Sequence, residues 1–339
     1  MSKKPDNIEP VSNEIIVGVD DGFAMTKLVV MMGGKVVKRL TIPSRARSGV
    51  HGTTAIAGSS DGEIDSRYQT EGGTFTVANL TDSESARFDE YPFSGMNRAI
   101  ITHALRVAGL GGKQVRIATG LPLSMFYKGS SNNTDVINRK IQSLLISVSP
   151  LDNSEVALIT NHQVYPEGLS AWIDYAIDEM GQIRADLDES IGIIDIGGRT
   201  TDIAVVLPGR RIDHARSGSA DLGVLNVIEE VILEIKKEHN VAVGPEKVEA
   251  ALRTRTIKLW GKPVDIGPSI DKAVTSVMGA ILREVNRRLS SGVDLDKVLL
   301  VGGGAYLFSG VEKQFPNVEI PTDPEYANAR GFAKYLGLA

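Results

Sequence analysis

The chain has 339 residues, 42% of them apolar and 23% charged, which is a globular composition with material for one large domain or two ordinary ones. Its net charge of −5 gives no general affinity for nucleic acid or membrane surfaces, and the lack of cysteine excludes disulfides, thiolate zinc sites and cysteine nucleophiles. No apolar run reaches the roughly 18 residues that cross a bilayer, so the sequence predicts a soluble cytoplasmic protein.

Residues 1–12, MSKKPDNIEPVS, are polar and proline-containing and read as a disordered leader. A strand over 14–20 (EIIVGVD), a second in KLVVMM and a third in VVKRLTIPS form a meander. Residues 48–91 are rich in Gly, Ser, Thr and Asp and read as an inserted, partly irregular segment. Helices are expected at 97–108, ended by Gly109, and at 135–146, opened by an Asn-Thr-Asp cap, with VRIATGLPLS as a buried strand between them.

Another helix follows Pro166, and then the meander restarts with SIGIIDIGG, TTDIAVVLPG and RRIDHARSG. Long helices over 222–238 and 271–289, the strand KVLLVGGG, the piece VEIP and a helix over 325–336 complete the chain. Strands followed by helices, twice over, predict two α/β domains with a duplicated core. Domain I takes 13–186, completed by a C-terminal helix assigned to 311–339, and domain II takes 187–310.

The duplication shows in the residues. VDDGFAMTKLVV (19–30) aligns without gaps on IDIGGRTTDIAV (194–205), matching Asp20 with Asp195, Gly22 with Gly197 and Thr26 with Thr201. A tight turn between strands leaves backbone N–H groups free to converge on an anion, and glycine allows close approach. Hydroxyls at Thr26, Thr200 and Thr201 and the ammonium of Lys27 suit phosphate oxygens. A carboxylate beside phosphate needs a cation between, and Mg²⁺ takes one or two carboxylates with water and phosphate oxygens. Two such tips facing each other would clamp a magnesium triphosphate.

The main competing motifs are missing: there is no G-x-x-x-x-G-K-[ST] and no G-x-G-x-x-G after the first strand, and the five histidines lack metal-ligand spacing. LVGGGAYL (300–307) reads as a strand, three glycines and a helix, a place for a sugar or base on bare backbone. SGSADLGVLNV (217–227) is a loop entering a long helix, whose N-terminus favours phosphate or ribose. Glu167 stands beside a proline at a helix start. It is either an acidic residue favoured by the helix dipole or, placed between the two tips in sequence, the group that activates a water for attack on phosphate.

Together these stretches resemble the actin/Hsp70/sugar-kinase superfamily. Asp20, Gly22, Phe23, Ala24, Met25 and Lys27 look like its first phosphate loop. Asp195, Gly197, Gly198, Arg199, Thr200 and Thr201 look like its second. Gly218, Asp221 and Gly223, with Gly302, Gly303, Gly304 and Ala305, look like its adenosine motifs. Within the superfamily the chain is most similar to the plasmid-partition actins called ParM or StbA, through YPFSGMNRAIITHAL, TGLPLSMFY, NRKI, YPEG and ANARGFAKYL.

The resemblance implies an actin-like fold of two RNase H-like domains around a nucleotide cleft. It implies ATP with Mg²⁺ as cofactors, GTP being the alternative nucleotide, with Asp20 and Asp195 as metal-side carboxylates acting through water. It further implies Lys27 on phosphate, catalytic Glu167 and Asp195, and hydrolysis that destabilises a polar filament of the protein. Its implied partners are the protein itself and a DNA-binding adaptor, the plasmid centromere being reached only indirectly and no membrane being involved. The chain departs from the family at Ala24, where a hydroxyl is usual, at Ser219, where aspartate is usual, and at Arg199, which replaces a small residue. A small-molecule kinase or phosphatase of the same superfamily, or another bacterial cytoskeletal actin, is the alternative.

Overall fold

The structure is a computed structural model and describes residues 14–51, 66–77, 83–178, 181–184, 188–308 and 310–338. The expected leader lies outside the described residues, as do residues 52–65 and 78–82 of the segment expected to be irregular, whose described part holds the short strands Arg67–Thr70 and Gly73–Thr76. The first sheet contains β1 (Ile15–Asp21), β2 (Met25–Met32), β3 (Lys35–Pro43), β4 (Gln114–Leu121) and β5 (Leu158–Pro166). Its order is β5-β4-β1-β2-β3, with the meander antiparallel and β4 and β5 parallel to β1 and to each other.

The second sheet contains β6 (Ile191–Ile196), β7 (Thr201–Leu207), the short β8 (Arg211–Ile212) and β9 (Gly218–Ala220) and, further along the chain, two parallel strands. After β9 come α5 (Val224–His239), α6 (Pro245–Thr254), the hairpin β10 (Thr256–Leu259) with β11 (Lys262–Asp265), and α7 (Gly267–Leu289). The parallel strands β12 (Lys297–Val301) and β13 (Val318–Glu319) follow. The order β13-β12-β6-β7-β8 repeats that of the first sheet, strand for strand and direction for direction.

The central strands read as unbroken apolar runs because both their faces are covered. On β1 and β2, Val17, Val19, Leu28 and Val30 pack on Ile101, Ala104 and Leu105 of α1 (Gly95–Val107). The opposite faces of Val29 and Met31 meet Ala329 and Ala333 of α8 (Ala327–Leu338). In the second sheet Ile194, Ile196, Ile203 and Val205 face the α5–α7 core, while Ile191, Ile193, Ala204 and Val206 face Leu169 and Ala171 of α4 (Leu169–Ala176). Helices α4 and α8 thus pack together between the two sheets.

That packing is tight enough to fix one residue type. A Cβ on Gly331 of α8 would lie 1.8 Å from the Ser170 carbonyl oxygen of α4. Backbone on both sides leaves no rotamer to yield. Gly331→Ala is expected to cost about 3 kcal/mol and lower the thermal midpoint by several degrees, followed by circular dichroism; an unchanged midpoint would contradict this close approach.

Several expectations need correction. Strand β5 is absent from the sequence reading because it is an edge strand, with Asn161 and Gln163 exposed among its apolar residues. The third strand of the second meander breaks into β8 and β9 around a turn, where the Ser217 hydroxyl donates to the Asp213 carbonyl. Helix α6 and the β10–β11 hairpin were not expected, and α7 starts four residues early, with Pro268 in its first turn. The glycines at 302–304 lead into turns and not into a helix. Asn133, after the short α2 (Leu123–Phe126), precedes α3 (Thr134–Leu144) without a side-chain cap bond; its amide donates instead to the Met125 carbonyl. Residues 311–319 do not join the first unit: Val311 and Phe315 are core residues of the second, and β13 pairs with its sheet.

Candidate functional site

The β1–β2 and β6–β7 tips meet across a cleft. A Cβ on Gly198 would come within 2.6 Å of the Ala24 Cβ, so the tips are in contact range. Behind them opens a cavity of about 610 Å³, bordered by both tips and by Glu167. This is the size of a small-molecule or cofactor site.

Register explains which side chains face it. Asp20 pairs with Lys27 across the first hairpin, and Asp195 occupies the same place opposite Asp202 in the second. Lys27 Nζ donates to Asp20 Oδ2 at 2.9 Å, and both are buried. Asp195 Oδ2 accepts from Asn328 Nδ2 of α8 at 2.6 Å. Asp202 accepts from the Leu123 amide at 2.8 Å and from the Ser219 hydroxyl at 2.6 Å. Alternation along β1 turns Asp21 the other way, into a buried cluster with Asn97 and with Lys140 of α3.

Glu167 follows β5, its amide donating to the Leu121 carbonyl at 2.9 Å. It precedes the Gly168 cap of α4 and lies outside the helix, so dipole stabilisation within a first turn does not explain it. Gly120 leaves it room: a Cβ there would lie 2.9 Å from Glu167 Oε1. Burial, reinforced by Asp20, Asp202 and Asp195, holds the Glu167 carboxyl well above the usual carboxylate range. Burial, then Asp202 and Asp20, push Asp195 up to about 7, against the opposing pull of Asn328 and Lys27. Asp202 is also raised, mainly by burial and despite its three hydrogen bonds. For Lys27, burial disfavours the charge, but Asp20 and then Asp195 and Glu167 outweigh it and raise its pKa. The cleft floor is an excess of buried carboxylates around one ammonium.

Of the residues singled out in the sequence, Asp20, Gly22, Phe23, Ala24, Met25, Lys27, Glu167, Asp195, Gly197, Gly198, Arg199, Thr200 and Gly303 line the cavity. Thr201 does not; its hydroxyl donates to the Leu222 carbonyl and ties the second tip to the start of α5. Gly223 supports that tip from behind, its absent Cβ leaving room for the Gly197 and Gly198 carbonyls. Gly218 lies against Arg288, Gly304 against Ile196, and Ala305 is buried in the second core. Gly302, at φ +87°, is constrained twice, since a Cβ would also come 2.3 Å from Asp195 Oδ1.

Arg199 spans the cleft mouth. Its Nε donates to Asp221 Oδ1 at 3.0 Å and its Nη2 to Asp89 Oδ1 at 2.7 Å, with the guanidinium 5.0 Å from the Phe23 ring. A second crossing is partly buried: Arg45 of the first unit pairs with Glu249 of α6 at 2.7 Å. Ser219 donates to Asp202 and accepts from the Ser124 amide at 3.0 Å.

The sequence reading gave no role to Asp202, Asn328, Tyr306, Leu307, Glu325 or the α6 residues Glu249, Leu252 and Arg253, all of which line the cavity. The buried Glu325 Oε2 has no hydrogen-bond partner among the described residues. A signal for α6 existed in GPEKVEAALRT: proline after glycine, then Val248, Ala251 and Leu252 at helical spacing.

Two family models match the chain. Residues 15–177 match the N-terminal part of the plasmid segregation protein ParM, and residues 193–312 match the C-terminal part of the MreB-like archaeal actin homologues. Each model covers less than half of the chain, and the fold is that of the actin homologues it is similar to. A 15-stranded ParM filament from Clostridium botulinum is 20% identical over 97% of this chain and 100% of that one, with a TM-score of 0.75. The archaeal actin homologue Ta0583, in complex with ADP, is 21% identical over 96% and 100%, with a TM-score of 0.74. At such identities the likeness is one of fold. No curated protein matches the chain. Among the described residues no helix is long and apolar enough to cross a membrane.

Proposed function

We propose that the chain is a nucleotide-hydrolysing actin that polymerises to segregate plasmid DNA. The observation that carries this reading is the pair of duplicated hairpin tips closing on one cavity, with Lys27 and the buried carboxylates behind them. The tips' amides and Lys27 hold phosphate, and Asp20 and Asp195 face a cation through water. Gly303, Tyr306 and the α6 residues border the nucleoside end. The ADP in the similar archaeal structure and the filament formed by the similar ParM support the reading.

The residues fit Mg²⁺. The donors are oxygens, and their mutual repulsion is what a cation relieves. Among the described residues no three metal-ligating side chains would hold an ion alone, so the protein supplies part of a shell that phosphate and water complete. When bound, the ion neutralises phosphate charge. Glu167, between Asp20 and Asp195, orients and deprotonates the attacking water; a pKa above the usual range makes it a stronger base once ionised.

The unit boundary is proposed to fall between residues 178 and 191, with 14–178 and α8 forming one half and 191–319 the other. The filament is proposed to reach DNA through an adaptor, since the net charge of −5 offers no surplus for phosphate backbones. Calorimetric titration with ATP and GTP tests the site. Binding of one or both, weakened at least tenfold by EDTA, is expected; no binding of either would end this reading.

Arg199 closes the mouth with partly exposed pairs, each worth about 0–1 kcal/mol. Arg199→Ala is therefore expected to leave stability nearly unchanged and to release bound nucleotide several-fold faster in stopped-flow fluorescence. Unaltered release would show that the crossing does not gate the cleft.

A further inference from the structure

The β10–β11 hairpin projects from the second unit, and its tip is at odds with its backbone. Leu259 pairs with Lys262, so Trp260 and Gly261 alone make the turn, at φ +45° and +81°. A two-residue turn of this kind favours Asn-Gly, and tryptophan rarely accepts positive φ. Trp260 is nevertheless 78% exposed. The fold does not need it there, because Ile257 and Leu259 anchor the hairpin on Val248 and Ala251 of α6. Lys258 and Lys262 flank the indole, and Lys247 borders the shallow groove beside it. All three lysines are exposed, and none makes an ion pair among the described residues. The tip is an aromatic knob in a positive collar.

Helix α7 begins two residues after β11 and runs for 23 residues, about 34 Å, to the loop 290–296 at the other end of the unit. There Val293 is 89% exposed, beside the exposed Asp294 and Asp296. Asp296 accepts from the Ser190 amide at 2.8 Å, which brings exposed Asp188 to the same place. Asp294 keeps Arg216 as its partner, while Asp188 makes no ion pair among the described residues. The basic residues nearest the loop already have partners: Arg216 pairs with Asp294, Arg287 with Glu284 and Lys297 with Glu319, while Arg288 donates to the Ser217 carbonyl.

We infer that the Trp260 tip seats on the 290–296 loop of a second copy of this chain, indole against Val293 and lysines against Asp188, Asp294 and Asp296. Knob and seat are different surfaces at opposite ends of one unit, so the contact is head-to-tail and propagates along a strand. Exposed tryptophan is the residue type most often found to dominate such contacts. This inference rests on the polymer-forming reading above and names its longitudinal contact.

The test is sedimentation with magnesium nucleotide, run beside nucleotide affinity. Trp260→Ala and Val293→Glu are each expected to raise the critical concentration roughly tenfold or more, with wild-type nucleotide affinity showing that both are folded. A mixture of the two variants retains one intact knob and one intact seat, so it should form pairs in analytical ultracentrifugation and no polymer. Wild-type assembly by either variant, or a mixture that stays monomeric, would overturn the contact. A wild-type chain that binds nucleotide and never sediments would overturn the polymer reading itself, and this contact with it.

Discussion

Replacing Glu167 by alanine is expected to slow phosphate release by roughly 10²–10⁴-fold, the usual contribution of a positioned general base, while nucleotide binding and assembly persist. Glu167 borders the cavity but belongs to neither hairpin tip, so the phosphate-holding groups remain when it is removed. Glu167→Gln keeps the shape against Gly120 and should be nearly as slow, which separates loss of the base from loss of packing. Wild-type phosphate release in either variant would remove Glu167 from the chemistry and leave it a structural residue at the junction of β5 and α4.

Asp195→Asn is expected to stabilise the protein at pH 8 while lowering magnesium-dependent turnover at least about 10²-fold. The sign follows from the raised pKa. Asp195 titrates at about 7 when folded, against the ordinary 3.8, so between those values the folded chain binds more protons than the unfolded one. Stability therefore falls as pH rises through that window, and the deficit is complete above it. The gap corresponds to a free energy on the order of 4 kcal/mol. Asparagine carries no charge to desolvate and can still accept the Asn328 hydrogen bond. The variant should melt several degrees above wild type at pH 8, and the difference should shrink towards pH 4. A variant less stable than wild type at pH 8 would show that Asp195 is not held against its neighbours.

The two tips were legible in the sequence because they occur twice. Asp20 and Asp195 sit in corresponding places, and β alternation carries both to the cleft. The same repeat hid Asp202, which lies at the position of Lys27 but has the opposite charge. Asn328 could not be read, since its contact with Asp195 depends on α8 crossing back between the two sheets. Edge strand β5 carried no apolar run, and the third strand of the second meander was too uniform in pattern to reveal its break. Arg199 looked like an unexplained departure until the fold placed Asp89 and Asp221 on either side of it. Local pattern named the turns; distant packing chose their partners.

The central claim is that nucleotide in this cleft drives assembly and that its hydrolysis undoes it. Right-angle light scattering after addition of magnesium ATP, with phosphate release followed in the same cuvette, tests that claim most directly. Scattering should rise, then decay as phosphate appears, and in Glu167→Ala it should rise and persist. Phosphate release with no scattering at any protein concentration would contradict the claim and favour a kinase or phosphatase built on the same fold.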